Sequence, residues 1–396
     1  MAMKLEVLPA RKGDCMLVHF DKEEGQSGLI LVDGGPAGVW NDSLKSRLVQ
    51  LREERSPGRK LFIDIVVVSH VDDDHINGIL RLLKEMDDDE FPVEIGEIWH
   101  NSFDRVIGND QTARMNLSNP VLASIGSNAA ELKFEDDEDK GALRDTAKVL
   151  ASVKQGDDLQ RLAKKLNIPI NLTFNNALIV KENISGPIIL GELTITVFGP
   201  LRNDLQKLQK VFDKWLVKQM AKKTEGSLLA ALADKSKANL SSIVLLIDDG
   251  ERTLLLTGDA RSDKILTGLG KGNHEFNILK FMHHGSDNNV DQEFFERVKA
   301  DTYVFSGDGE HGNPERATIE MLISNAQNSP KLVFTYPLDE IDTERKHEYE
   351  KWRIKRGRKG KTEPVWKDET QALRTLLDGS NATVISIQPD EESVVL

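Results

Sequence analysis

Three times in this chain a short apolar run ends on a turn that carries histidine or aspartate. Leu61 to Val68 (LFIDIVVV) runs into Ser69-His70-Val71-Asp72-Asp73-Asp74-His75, Leu254 to Leu256 runs into Thr257-Gly258-Asp259, and Ile278 to Met282 runs into His283-His284-Gly285-Ser286. Apolar runs of this length that stop at turn residues read as strands covered on both faces, and such strands belong to α/β sheets flanked by helices. Polar side chains at the ends of several strands of one sheet collect along one edge, where ligand sites of α/β folds are found. The chain has only nine histidines, and four of them, His70, His75, His283 and His284, fall in these turns.

The first turn is the densest. His70-x-Asp72-x-Asp74-His75 places four ligand-type side chains within six residues, and a turn can bring them onto one or two cations. The competing reading is a polar loop that caps the helix of Leu80, Leu82, Leu83 and Met86, with Asp74 as the capping carboxylate. Neighbours on an ending strand point to opposite sides, so either His283 or His284 can be the ligand. The lone cysteine, Cys15, lies in the apolar run Cys-Met-Leu-Val and reads as a buried structural thiol. Trp99-His100-Asn101 follows a strand-like run from Val93 to Ile98 and reads as a strand cap or as part of a substrate entrance.

Around these turns the pattern predicts an N-terminal meander of strands over 3–9, 15–20 and 29–32, closed by Asp33-Gly34-Gly35, and a helix from about 42 to 54. Residues 193–197 alternate as a strand. From 201 to 233 the spacing is helical, with Leu205, Leu208, Val211, Phe212, Trp215 and Leu216 as a core stripe. Further strands are expected over 242–247, 253–257 and 302–305, and the acidic runs 87–90 and 135–139 read as solvated surface. No repeat or low-complexity linker divides the chain. The expected organisation is one main domain, residues 1–330, with a helical insertion at about 101–190, and a basic extension, 331–396, packed on the same domain.

Composition narrows the function classes. With 52 Lys+Arg against 65 Asp+Glu among 396 residues, the formal charge of −13 argues against a protein coated in nucleic acid or held on anionic lipid. No run reaches the roughly 18 apolar residues of a membrane span, and the N-terminal residues lack the apolar centre of a signal peptide. A cytoplasmic location without a membrane partner is the expectation. One local exception stands out. Arg345 to Lys361 carries nine Lys/Arg against two Glu, interleaved with Tyr349 and Trp352, a composition that suits a nucleic-acid backbone as well as a solvated amphipathic helix.

Taken together, Asp33 in Asp-Gly-Gly, His70-x-Asp72-x-Asp74-His75, Thr257-Gly258-Asp259 and His283-His284-Gly285-Ser286 resemble the metallo-β-lactamase-fold hydrolases. Within that superfamily the chain is most similar to the branch typified by the cytoplasmic domain of the ComEC-type DNA-uptake protein. Gly13-Asp14, Asn239-Leu240-Ser241-Ser242, Ser306-Gly307 and His311-Gly312-Asn313-Pro314 fit further motifs of that branch. The motifs cover residues 1–100 and 190–325. The resemblance implies an α/β protein of the four-layer αββα sandwich type with one or two divalent cations at the sheet edge, His70 and Asp72 at one position, Asp74 and His75 at the other, Asp259 bridging, and His283 or His284 as a further ligand.

Two departures bear on the metal. Asp72 and Asn239 stand where many members have histidine, so oxygen replaces nitrogen and the expectation moves from Zn²⁺ toward Mn²⁺, with Mg²⁺ also suited. The implied activity is hydrolysis by a metal-activated water, with catalytic parts for Asp74, His284 and His311 and substrate contacts from Asn239, Ser286 and Asn313. The nearest branch points to a phosphodiesterase or nuclease acting on nucleic acid or a nucleotide-derived substrate, bound in part through Arg345–Lys361. The alternatives are hydrolysis of a carboxylic ester or lactone, and a binding module that keeps the fold without catalysis.

Overall fold

Strands apolar on both faces need cover on both sides, and the chain provides it by packing two sheets face to face with helices outside each. The computed structural model describes residues 3–22, 25–101, 154–206, 241–326, 328–358, 360–388 and 391–396. Most of the expected insertion, the acidic run 135–139, the stripe from Leu208 to Leu216 and Asn239 lie outside the described residues. The first sheet contains β1 (Lys4–Val7), β2 (Met16–Asp21), β3 (Ser27–Val32), β4 (Leu61–Val68), β5 (Val93–His100) and β14 (Val394–Val395), in the order β14-β1-β2-β3-β4-β5. The second contains β6 (Ile188–Leu190), β7 (Leu193–Gly199), β8 (Val244–Asp248), β9 (Thr253–Leu256), β10 (His274–Lys280), β11 (Val298–Phe305), β12 (Lys331–Phe334) and β13 (Thr383–Ser386), in the order β13-β12-β11-β10-β9-β8-β7-β6.

Each sheet changes from antiparallel hairpins to parallel strands. Pairing is antiparallel from β14 to β3 and parallel from β3 to β5; it is antiparallel from β6 to β9 and parallel from β9 to β13. Parallel neighbours need a crossover, which the helices supply. Helix α1 (Lys45–Arg55) lies between β3 and β4, and α2 (Asp73–Asp87) between β4 and β5. Around the second sheet run α3 (Ser262–Leu269), α4 (Gln292–Arg297), α5 (Arg316–Asn325) and α6 (Leu338–Arg358).

The burial pattern shows the layers directly. On β3, Ile30 and Val32 join the cluster between the sheets, while Leu29 and Leu31 join the cluster under α1 and α2. On β9, Leu254 and Leu256 face the inner cluster and Leu255 the outer one, with Ile265, Phe294 and Ile319. Each such side chain contributes about 1.5–3 kcal/mol by leaving water, and three apolar layers separate four layers of secondary structure. This is the four-layer αββα sandwich implied by the resemblance. Among the described residues, no helix is long and apolar enough to cross a membrane.

Residues 331–396, which carry none of the recognised motifs, enter both sheets: β12 and β13 extend the second, and Leu396 exchanges backbone hydrogen bonds with Leu5 in the first. Within the expected insertion, residues 154–165 are helical and the segment from Asn171 to Ile179 is fastened to the end of β5. Asn171 bonds the backbone of His100 in both directions at 2.8 Å, and Asn101 does the same to Ile179. Trp99 packs in the inner cluster, edge-on to Phe174 at 5.0 Å. The Trp99-His100-Asn101 backbone and the Asn101 side chain thus anchor this segment to the sheet.

Candidate metal centre

Strands β4, β9 and β10 end at the same edge, and the turns that follow them meet there. The first turn is shorter than the sequence suggested, because α2 begins inside the motif: Asp72 is its N-cap, with Oδ1 accepting from Asp73 N–H at 2.8 Å, and Asp74 and His75 occupy the first helical turn. The competing reading of this turn, a polar loop with Asp74 as the cap, assigns the wrong carboxylate, since the cap is Asp72. Helix α2 can approach this closely because two glycines face each other. A methyl group on Gly78 would stand 1.9 Å from Gly34 O, and Gly34 N–H donates to His75 O at 2.8 Å.

After β10 the chain does not continue extended. His283 and His284 have φ of 47° and 55°, followed by Gly285 at 90°. Three successive left-handed residues curl the backbone, so the opposite orientation expected for strand neighbours does not apply. Both rings turn to Asp259. Its Oδ2 lies 3.7 Å from Nε2 of His70 and 3.7 Å from Nε2 of His283. Its Oδ1 lies 3.4 Å from Nε2 of His75 and 3.7 Å from Nε2 of His284. Asp74 Oδ1 adds a carboxylate oxygen 3.8 Å from Nε2 of His75.

The opposite nitrogen of every ring is held from behind. His70 Nδ1 is 3.1 Å from Ser69 Oγ, His75 Nδ1 is 2.9 Å from Asp33 Oδ2, His283 Nδ1 is 2.8 Å from Asn289 Oδ1, and His284 Nδ1 is 3.3 Å from Asp14 Oδ1. Asp33 is fixed in turn by Ser69 N–H at 2.8 Å and Ser69 Oγ at 2.7 Å. Such outer contacts orient imidazoles with Nε2 forward, the arrangement found around metal-ligating histidines. They involve Asp14, Asp33, Ser69 and Asn289. The sequence had marked Asp14 and Asp33 through the resemblance, but Asn289 gave no signal beyond lying six residues after His283.

The electrostatics describe a site short of positive charge. Burial and the neighbouring His75 push His70 down to about 3. His75 goes the other way: burial opposes its protonation, but Asp259 and Asp33 outweigh it and hold the ring well above its ordinary value. Burial would raise Asp259, yet His283, His75, His284 and His70 together hold it well below the usual carboxylate range. Asp74 is raised by burial and by Asp72 and Asp259. Nε2 of His70, His75 and His284, with Oδ1 of Asp74 and Asp259, are buried without a hydrogen-bond partner. An unpaired buried polar atom costs about 1–3 kcal/mol, so five of them aimed at one another form a cluster that a divalent cation would complete. His70, His75 and Asp259 offer donor atoms within 4.8 Å of one another, as do Asp74, His75 and His284.

Not every expected residue converges. Asp72 stays at its cap position and belongs to none of the three donor groups among the described residues, the third being Asp14, Asp33 and His75. His311, with φ of 63° and a side chain 46% exposed, sits in a separate cavity with Glu315. Ser286 Oγ donates to Glu315 Oε1 at 3.4 Å, and Asn313 is buried beside that loop. Cys15 is fully buried, and burial with Asp33 and Asp14 nearby pushes its thiol up. Residues 345–358 of the basic stretch lie in α6. Lys351 pairs with Glu348 at 2.6 Å, Arg353 with Glu350 at 2.7 Å and Arg356 with Glu363 at 2.6 Å, whereas Arg345 is turned inward onto Asp342 at 2.7 Å.

No protein-family model matches the chain, and no curated protein matches it. Among solved structures it is similar over its whole length to the metallo-β-lactamase fold protein YhfI from Bacillus subtilis, at 13% identity, 98% coverage of that chain and a TM-score of 0.36. It is also similar to a mutant of the CmlA β-hydroxylase, at 9% identity and a TM-score of 0.34, spanning 54% of that chain.

Proposed function

We propose that this chain is a metal-dependent hydrolase acting on a phosphodiester of nucleic acid or of a nucleotide. One observation carries the reading: the Asp259 carboxylate has two inward-facing imidazoles beside each of its oxygens. His70, His283 and Oδ2 of Asp259 would hold one divalent cation, and Asp74, His75, His284 and Oδ1 a second. Four imidazoles make this set richer in nitrogen than the substitutions at 72 and 239 suggested, which favours Zn²⁺ or Mn²⁺ over Mg²⁺. When bound, such cations supply Lewis acidity and lower the pKa of a water, and a pair of them suits in-line displacement at phosphorus.

The chain's own residues have separate tasks. Asp33, Asp14, Ser69 and Asn289 hold the imidazoles in one tautomer and orientation. Ser286, bonded to Glu315, and His311, in the neighbouring cavity, lie outside the donor set and would meet the substrate rather than the metal. Lys355 and Arg358, exposed on α6, offer positive charge to a phosphate backbone.

Elemental analysis of the purified protein, with turnover of a generic phosphodiester and of single-stranded DNA under Zn²⁺, Mn²⁺ and Mg²⁺ in turn, tests the reading. One or two equivalents of metal and cation-dependent cleavage, both lost in Asp259→Ala, are expected. Bound metal without cleavage of either substrate would remove the phosphodiester, and absence of metal under every condition would remove the hydrolase.

A further inference from the structure

A cavity of about 530 Å³ opens where α6 meets the segment from Trp366 to Gln371 and the loop from His311 to Ala317. Small-molecule sites span roughly 300–1,000 Å³. One part of its lining is aromatic: Tyr349 lies 5.4 Å from Trp352 and 5.6 Å from Trp366 between ring centres, and Tyr349 Oη donates to Pro364 O at 3.0 Å. Trp366 is almost fully buried, whereas Trp352 is 44% exposed. A large aromatic ring left half in water beside two others is not explained by the core.

Aromatic walls take either planar rings or cations. Here the protein's own guanidinium groups occupy the cation positions: Arg345 lies 5.6 Å from the Trp366 ring centre and Arg356 lies 5.2 Å from that of Trp352. Arg316 also lines the cavity, and each of these guanidinium groups is paired, Arg316 with Glu320 at 2.7 Å, Arg345 with Asp342 at 2.7 Å and Arg356 with Glu363 at 2.6 Å. The two carboxylates there are engaged, Glu348 with Lys351 at 2.6 Å and Glu315 with Ser286 Oγ at 3.4 Å and Asp287 N–H at 3.3 Å. A cationic ligand would find the cation positions on these rings already taken by the chain's own guanidinium groups, while a flat ring would meet the half-exposed Trp352 beside Tyr349. Glu315 also joins the cavity to the metal centre. Its N–H donates to Gly285 O at 3.0 Å, one residue beyond His284.

The geometry points to this cavity as a base-binding subsite, which takes the purine or pyrimidine ring of a nucleotide whose phosphodiester lies at the metal centre. The identity of the ligand rests on the hydrolase reading; the stacking site does not.

The test uses the full chain stripped of metal with EDTA, so that no turnover intervenes. Adenosine 5′-monophosphate is titrated by calorimetry, with ribose 5-phosphate as the base-free probe and tetramethylammonium as the cationic one. Ribose 5-phosphate should bind about tenfold or more weakly than the nucleotide, and Trp352→Ala should lose a similar factor, because a stacked base is lost in both. Ile354→Ala, 53% exposed on the same helix and outside the lining, should keep the wild-type affinity. Equal binding of the two phosphates, wild-type affinity in Trp352→Ala, or saturable binding of tetramethylammonium would overturn the inference. Cation-dependent phosphodiester cleavage without nucleotide binding sinks this inference alone. Nucleotide binding that needs Trp352, with no cleavage under any cation, supports the subsite and sinks the hydrolase reading instead.

Discussion

Asp14 and Lys280 form a fully buried ion pair, 2.8 Å apart, directly behind His284. Asp14 follows β1 in the first sheet, Lys280 ends β10 in the second, and Asp14 N–H donates to Asp74 O at 3.2 Å. Burial works against the Asp14 charge, but Lys280, His284 and His75 hold its carboxyl well below the ordinary range. Removing one member of such a pair costs roughly 3–5 kcal/mol, because the other charge stays buried. Lys280→Met should lose about that much in urea unfolding, and Asp14→Asn with Lys280→Met should lose less than the sum of the single changes. Additive losses would mean that the two side chains act independently.

Asp33 never reaches the inner face of the site, yet both its oxygens are engaged, by Ser69 and by His75. Asp33→Asn keeps the shape and removes the charge that orients His75. Metal affinity, read by competition with a chromogenic chelator, should fall roughly 10–100-fold, the range for outer-shell partners. Unchanged affinity would show that the helix alone positions His75.

Gly78 sits where α2 crosses the Asp33-Gly34-Gly35 turn. A methyl group there would stand 1.9 Å from Gly34 O, a backbone atom that cannot swing aside. Gly78→Ala should therefore destabilise the protein by about 1–3 kcal/mol, as overpacking does, and should weaken metal binding as α2 lifts Asp74 and His75. The exposed helical Gly357→Ala on α6, where nothing lies within 4 Å and φ is not positive, is the comparison for the steric part. A Gly78→Ala protein with wild-type stability and metal affinity would show that α2 can shift without disturbing the site.

Far from the metal centre, Glu6 is buried; burial opposes its charge, but hydrogen bonds from His19, Arg47 and Ser393 lower it from 4.5 to about 2. A folded-state value below the unfolded one means that the unfolded chain binds more protons between the two, so stability rises with pH across that interval. The contribution, about 3 kcal/mol from a shift of this size, should be complete above pH 4.5 and vanish as pH falls toward 2. Unfolding free energies of the wild type and Glu6→Gln, compared from pH 6 to pH 3, should converge on the acid side. A constant difference would exclude Glu6 as the titrating group.

The strands that carry the site were legible because their signal is local. Leu29 to Val32, Leu61 to Val68, Leu254 to Leu256 and Ile278 to Met282 announce themselves by apolar period and turn residues, whatever the rest of the chain does. The strands beyond residue 330 were not legible. Lys331–Phe334, Thr383–Ser386 and Val394–Val395 are short, and their place is set by partners such as Tyr303 and Leu5, far away in sequence.

By itself, then, the sequence determined which residue types gather at the sheet edge: four histidines, Asp74 and Asp259, each at the end of an apolar strand or in the first turn behind one. Tertiary structure decided what each one faces. Asp72 rather than Asp74 caps α2 because the helix is drawn back onto Gly34. His283 and His284 share Asp259 because the backbone curls left-handed after Met282. A side chain's direction at a strand end depends on φ and ψ there, and these are set by contacts with Gly258, Asn289 and Pro314 that no local pattern contains.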